Sequence, residues 1–129
     1  MHRCAFLATL AASMALAALP AAAQIVRNFP AAALRGEVQI VQPPEILLNG
    51  RPARLAPGSR IRGQDNLLQM SGGLVGQRFL ANYTLDVNGQ ILDVWILNAG
   101  EQARRPWPTT PAEAARWRFD AASQSWSKP

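Results

Sequence analysis

Alternation of polar and apolar residues runs through the middle of the chain and predicts short β-strands. Residues 37–41, Glu-Val-Gln-Ile-Val, alternate in this way and stop at Pro43-Pro44. Such alternation puts every second side chain on one face of a sheet, as in a half-buried strand. We therefore expect a first strand here, preceded by an extended arm over residues 24–35, where no period is visible.

Tight turns punctuate the next part of the chain. Asn49-Gly50 favours a two-residue type I′ turn, because both turn residues must then adopt positive φ. That turn pairs Glu45 with Arg54 across a hairpin. Pro57-Gly58 fits the centre of a type II turn, after which residues 59–62 would form another short strand.

The longest alternating stretch surrounds a second Asn-Gly pair, Asn88-Gly89. A two-residue turn here pairs Leu85 with Leu92 and Tyr83 with Val94, and the inner face follows from that register. Its predicted core side chains are Phe79, Ala81, Tyr83, Leu85, Val87, Leu92, Val94 and Ile96. The predicted solvent-facing side chains are Leu80, Asn82, Thr84, Asp86, Ile91, Asp93, Trp95 and Leu97.

A short helix is predicted near the carboxy terminus. Thr110 suits the N-cap, Pro111 the first helical position, and Glu113 the closing position of a capping box. We expect the helix to run to about Phe119 and a loose tail to continue through Trp126. A helix this short needs tertiary contacts, so it should pack on the strands.

These elements predict a mainly β protein: a small antiparallel, OB-like barrel or curved sheet of six to seven short strands, with a short C-terminal helix. The barrel domain is assigned to residues 36–100. A C-terminal extension over residues 101–129 carries the helix onto the barrel.

Residues 1–23 have the pattern of an export signal. Arg3 precedes an apolar run from Ala5 to Leu19, and Pro20 is followed by three alanines that suit cleavage after Ala23. The run is too short to span a bilayer. The sequence therefore predicts a periplasmic protein with no membrane anchor after cleavage.

The only cysteine and the only histidine, Cys4 and His2, both lie in this signal. Residues 24–129 therefore lack the thiol and imidazole groups on which zinc sites, cysteine nucleophiles and Ser-His-Asp triads depend. We predict no cofactor, no metal and no enzymatic activity. The alternative is a glycan hydrolase that uses carboxylates alone, with Asp86 and Asp93 as its pair.

Basic residues exceed acidic ones, and the net charge is +5. Arg51, Arg54, Arg60 and Arg62 fall close together and, with Trp95, could form a surface for single-stranded nucleic acid. Export argues against such a partner. We expect no nucleic acid, and solvated arginines paired with Glu45 and Asp65.

Trp95 is the most informative residue of the predicted outer face. A large ring there is either covered or available for binding. The C-terminal segment could cover it with Trp107, Pro108 or Trp117. If it is free, the candidate partner-binding residues are Asn82, Thr84, Asp93, Trp95, Arg54 and Arg60.

The stretch from Gly36 to Glu101 resembles small exported proteins of proteobacteria and, more loosely, OB-like domains of bacterial envelope proteins. The resemblance rests on residues 55–62 (LAPGSRIR), 66–68 (NLL), 83–86 (YTLD) and 94–97 (VWIL). It implies export and a small β-fold but carries no catalytic or ligand residues.

The leading functional hypothesis is a non-catalytic binding or adaptor module that recognises an envelope protein, peptide or glycan. The other hypotheses are the carboxylate-only hydrolase and a structural accessory subunit that pairs with a larger assembly through an edge strand. Oligomeric state is not predicted.

Overall fold

The computed structural model describes residues 26–129, so the predicted signal, its cleavage site and the first residues of the arm lie outside the described residues. Six strands build the main sheet: β1 (Leu34–Gln42), β2 (Glu45–Leu48), β3 (Arg51–Arg62), β4 (Leu68–Gln69), β5 (Arg78–Leu85) and β6 (Ile91–Ile96). A single 3-10 turn, Ser71–Leu74, lies between β4 and β5.

The main sheet closes on itself in a ring-like arrangement. Its order is β2-β1-β5-β6-β3-β4, and β2 also pairs with β3. Five strands therefore have a neighbour on each side. β4 pairs with β3 outside this ring. The mainly β prediction is confirmed, but the sheet is mixed rather than antiparallel, because β6 joins β3 in parallel. Register breaks in three strand pairs keep the ring from being a regular barrel.

The first predicted hairpin is confirmed residue by residue. Glu45 pairs with Arg54 across β2 and β3. Asn49 and Gly50 both have positive φ, at 54° and 80°, as a type I′ turn requires. The Asn49 side chain also accepts a hydrogen bond from the backbone N–H of Glu37 on β1 (2.9 Å).

Pro57-Gly58 does not reverse the chain, so the predicted type II turn is wrong. Both residues lie within the long strand β3. Gly58 has a φ of 75°, and the pairing of β3 with β6 is interrupted between Leu55 and Arg60. The positive φ of glycine thus produces an irregularity inside one strand instead of a turn between two.

The second hairpin differs from its prediction in both turn and register. Gly89 donates its N–H to the Asp86 carbonyl (3.1 Å), and Asp86 donates its own to Gln90 (2.8 Å), which leaves a three-residue loop. Its third residue, Gly89, has a φ of 76°. This is a type I turn followed by a left-handed residue, the usual three-residue hairpin loop.

A bulge in β6 accompanies this longer turn. Tyr83 pairs with Val94 as predicted, but Leu85 pairs with Ile91 instead of Leu92. Three steps along β6 therefore match two along β5. Leu85 and Val87, which were assigned to the core, are exposed, and Ile91, which was assigned to solvent, is buried.

An inner core fills the ring. Its fully buried members come from β1, β2, β5 and β6 and include Val38, Ile40, Ile46, Ala81, Ile91 and Val94. Tyr83 is also buried there, and burial raises the pKa of its hydroxyl above 10.

An outer core lies on the opposite face of β5 and β6. Its buried residues are Phe29 and Ala33 from the arm, Leu97 at the end of β6, and Trp107 and Trp126 from the C-terminal segment. Leu97 was predicted to face solvent. It is buried because the arm and the C-terminal segment both pack over this face.

The C-terminal segment contains two short helices, α1 (Ala99–Gln102) and α2 (Pro111–Arg116), and the hairpin strands β7 (Arg118–Asp120) and β8 (Ser125–Ser127). The N-cap Thr110 is confirmed, since it accepts from the backbone N–H of Glu113 (3.2 Å). The helix ends before Trp117, which is extended, so the predicted end near Phe119 is wrong. The predicted loose tail is also wrong: it forms β8 and buries Trp126.

Candidate functional site

The parallel pairing of β3 with β6 places a row of polar side chains on the outer face of the ring. Ile61 and Val94 are register partners, and both point into the inner core. Their neighbours alternate to the other face, because successive strand residues point to opposite sides. Arg60 is thereby set opposite Asp93 and Arg62 opposite Trp95.

These four residues line an open groove of about 590 Å³. The arm forms its other wall with Asn28 and Pro30, and Asn66 closes it from the loop between β3 and β4. Asn66 has a φ of 66°, a conformation that asparagine tolerates better than most residues. The groove thus joins two adjacent strands, a turn and the arm.

Asp93 is the only carboxylate among the described residues that line this groove. It accepts a hydrogen bond from the Nε of Arg60 (3.2 Å), and its distance to the Nη1 of Arg62 is 3.9 Å. From β5, the hydroxyl of Thr84 lies 3.3 Å from its other oxygen and accepts from its backbone N–H. Thr84 therefore orients Asp93, and one carboxylate faces two guanidinium groups.

Much of the hydrogen-bonding capacity of the groove is unused within residues 26–129. The side chains of Asn28 and Asn66 form no hydrogen bond with described residues, and neither does the indole N–H of Trp95. Arg62 makes only the long ion-pair contact with Asp93, although its side chain is just 26% exposed. These groups therefore present to the groove hydrogen-bond donors and acceptors that have no partner in the described chain.

Phe29 of the arm packs directly on Trp95, and the predicted C-terminal residue Trp107 belongs to the same outer core. The rings of Phe29 and Trp95 form a T-shaped contact with centroids 5.5 Å apart, and Phe29 forms a second such contact with Trp107 at 5.9 Å. The C-terminal segment therefore forms the second layer over this face. Trp95 stays partly exposed on the side that lines the groove.

A buried arginine fixes the arm in place. The guanidinium of Arg27 donates to the carboxylate of Glu101 and to the carbonyl oxygens of Gly63 and Ile96. Glu101 occupies the third position of α1, where its carboxylate also accepts from the backbone N–H of Asn98. The arm is thus bonded to β6, to α1 and to the loop after β3, and one wall of the groove depends on it.

A second buried arginine joins β1 to the C-terminal segment. Arg35 donates to the carbonyl oxygens of Glu101 and Arg104, and its guanidinium lies 4.9 Å from the ring centre of Trp107. Burial lowers the pKa of Arg35 to about 10, well below its usual value, and nearby Glu101 opposes this shift. The side chain remains cationic at neutral pH.

The structure brings together three of the six candidate partner-binding residues: Asp93, Trp95 and Arg60. Thr84 supports them from beneath. Asn82 was expected on the solvent-facing side and is fully buried, where its Oδ1 accepts from Arg35 (3.0 Å). It is buried because the outer core covers that part of β5.

Arg54 lies apart from this groove. It occupies β3 together with Arg60, so the predicted type II turn between them is absent. Its guanidinium pairs with Glu45 as predicted (3.0 Å), and it borders a separate hollow that also includes Gln90. Asp65, the other predicted partner of the arginines, accepts from the backbone N–H of Leu67 instead.

Sequence reasoning missed the arm as a wall of this site. Asn28, with Arg27 just before it, lies in a segment without periodicity, which gives no sign that it packs on a distant strand. The sequence placed Arg62 in a cluster of four arginines and Asn66 in a loop, but it did not place either residue beside Trp95. Only the parallel pairing with β6 brings them to Trp95.

Asp86 and Asp93, the pair of the hydrolase hypothesis, are engaged in different structures. Asp86 accepts from the backbone N–H groups of Asn88 and Gln90, both at 2.9 Å, and so stabilises the turn. Asp93 is held by Thr84 and Arg60 in the groove.

Comparisons of the chain with protein-family models, with curated proteins and with solved structures give no match. Across residues 26–129 there is no helix of the length and apolar character that crossing a membrane requires. The same residues contain no cluster of three or more acidic, histidine or cysteine side chains arranged to hold a metal ion.

Proposed function

We propose that the protein is a non-catalytic binding or adaptor module of the bacterial periplasm and that the groove beside Trp95 is its ligand site. The observation that carries this proposal is the set of unused hydrogen-bonding groups around Arg62, Asn28 and Asn66. The side chain of Arg62 is only 26% exposed, and the donors that it turns to the groove have no hydrogen-bond partner in the described chain. A bound ligand would supply such partners.

The proposed ligand is an envelope glycan or an extended segment of an envelope protein. The groove volume lies in the range of about 300–1,000 Å³ that is common for ligand sites. The groove is open to solvent, which leaves room for a chain that continues beyond the site. We propose export from the signal-like pattern of residues 1–23.

We also propose that the ring is an OB-like barrel. Five strands closed as β1-β2-β3-β6-β5, with a short 3-10 turn between β4 and β5, agree with a partly open five-stranded Greek-key barrel. Such barrels bind elongated ligands on a strand face, and the groove lies on the face of β3 and β6.

The competing hypotheses have less support. A hydrolase needs its two carboxylates across one cleft, and Asp86 is committed to the turn that it caps. An accessory subunit would pair through β4, the strand at the end of the sheet order. That strand has two residues, which offer few backbone groups to a partner.

The test compares capture by immobilised wild-type protein, Arg62→Gln and Arg78→Gln from a periplasmic extract and from solubilised envelope glycans. Arg78 is an exposed arginine paired with Glu37 on another part of the sheet, so it controls for charge. We expect a ligand that the wild type and Arg78→Gln retain and that Arg62→Gln loses, with equal melting temperatures for all three. Identical capture by all three proteins would overturn the proposal.

A further inference from the structure

We infer that the ligand of the groove is a glycan that carries carboxylate groups, an inference that rests on the proposed binding function. The charge of the groove supports this first. Arg60 and Arg62 share one carboxylate, that of Asp93, while the nearby guanidinium of Arg27 is already paired with Glu101. The groove therefore has an excess of positive charge that favours an anionic group.

The geometry of Arg62 indicates what kind of anion fits. Its side chain is 26% exposed and lines the groove, and its guanidinium forms no hydrogen bond with described residues beyond the 3.9 Å contact with Asp93. A planar guanidinium binds a carboxylate through two parallel N–H···O bonds, which are shorter and stronger than neutral ones. A ligand carboxylate at Arg62 would satisfy these donors, while Arg60 keeps its bond to Asp93.

The remaining groups suit a sugar ring beside that carboxylate. The amides of Asn28 and Asn66 each offer a donor and an acceptor, which is what neighbouring hydroxyl groups need. Trp95 offers a partly exposed, flat apolar ring and an N–H that has no partner within the described chain. The C–H face of a sugar can lie on such a ring while its hydroxyls reach the amides.

A peptide is a poorer occupant of the same groove. Extended peptides usually bind by adding a strand to a free sheet edge. Here β3 and β6 pair with each other along the groove, so neither presents an unpaired edge there. A glycan needs only side-chain partners, and these are what the groove provides.

Single-stranded nucleic acid is also disfavoured. Its binding surfaces stack successive bases on several aromatic rings and follow the backbone with many cations. Trp95 is the one aromatic residue among the described residues that line the groove. The local charge excess is small.

The experiment measures binding of a short oligogalacturonate by calorimetry and by the indole N–H signals in nuclear magnetic resonance spectra. Its methyl ester serves as the matched neutral ligand, and oligoglutamate and oligothymidylate of equal charge serve as anionic controls. We expect the acid to bind and to shift the Trp95 signal. Esterification and Arg62→Gln should each weaken binding by about tenfold or more, whereas Arg78→Gln should leave it unchanged.

Three results would overturn the inference. The ester could bind as tightly as the acid, either anionic control could bind as tightly as the oligogalacturonate, or the oligogalacturonate could fail to bind. Each leaves the proposed function standing if extract capture still depends on Arg62. If the oligogalacturonate does not bind and capture from the extract does not depend on Arg62 either, the proposed function is overturned as well.

Discussion

The guanidinium of Arg27 and the carboxylate of Glu101 form a buried ion pair, with Nε and Oε2 2.8 Å apart, between residues separated by 74 positions in the chain. Their side chains are only 5% and 2% exposed. The pair joins the arm, which forms a wall of the groove, to α1 at the end of the sheet. The arm is therefore a fixed part of the fold.

Glu101→Gln should destabilise the protein by about 3–5 kcal/mol, because it leaves the Arg27 guanidinium buried without its counter-charge. Glu45→Gln is the matched control, since the Glu45–Arg54 pair is exposed and worth about 0–1 kcal/mol. Chemical denaturation measures both. Equal midpoints for the two variants would contradict the role of the buried pair, and the double variant Arg27→Met/Glu101→Met should recover much of the loss.

Val94→Asp should unfold the protein, because it places an unpaired carboxylate in the inner core at a cost comparable to the stability of a small domain. Leu85→Asp should fold, since the bulge in β6 leaves Leu85 38% exposed. Circular dichroism melts separate the two variants. An unfolded Leu85→Asp protein would indicate the simple two-residue register instead of the bulge.

The sequence predicted the alternating parts of the ring because a period of two leaves few choices of face. The hairpin at Asn49-Gly50 and the pairing of Tyr83 with Val94 follow from that rule. The bulge in β6 could not be predicted from that rule, because Asn88-Gly89 fits both a two-residue turn and a three-residue turn with glycine in the left-handed position. The side chain of Asp86, which caps the longer turn, decides between them in the structure.

The candidate site was predictable only in part. Trp95, Asp93 and Arg60 were selected because large or charged side chains share one strand face. Arg62 and Asn28 join them through a parallel pairing and through the arm, and neither long-range contact leaves a period in the sequence. Asn82 was misplaced because alternation gives a side chain's face and does not show what covers that face.

Phe29→Ala should lower stability by about 3–5 kcal/mol and shift tryptophan fluorescence to longer wavelength, because Phe29 is buried between Trp95 and Trp107. Val26→Ala is the control within the same arm, since Val26 is exposed. Emission spectra and denaturation curves give the result. Unchanged spectra in Phe29→Ala would mean that the arm does not cover Trp95.

The two Asn-Gly turns should respond differently to alanine. Asn49→Ala should cost about 1 kcal/mol, because alanine is strained at the positive φ of this position and the bond to the N–H of Glu37 is lost. Asn88→Ala should be nearly neutral, since Gly89 supplies the left-handed residue of that loop. Thermal melts of the two variants test this, and equal losses would mean that both turns are of the same type.

Tyr83 is the only tyrosine, so absorbance of the tyrosinate reports it alone. Its pKa is raised by burial, and the midpoint of the titration should lie above 10. The corresponding contribution to the free energy of unfolding is fully present below the pKa of tyrosine in the unfolded chain, near 10. It is lost as pH rises through the higher pKa of the folded protein. A midpoint at 10 in the folded protein would show that the hydroxyl is solvated.

The outer core imposes an order on folding. Phe29 lies near the start of the described chain and Trp126 near its end, and both belong to the same cluster. All six strands of the main sheet end by Ile96, whereas this second cluster cannot form until nearly the whole polypeptide has emerged from the ribosome. During synthesis, the ring of strands can therefore assemble while the sheet face that carries Trp95 is still uncovered. A chaperone would bind the apolar surface exposed on that face.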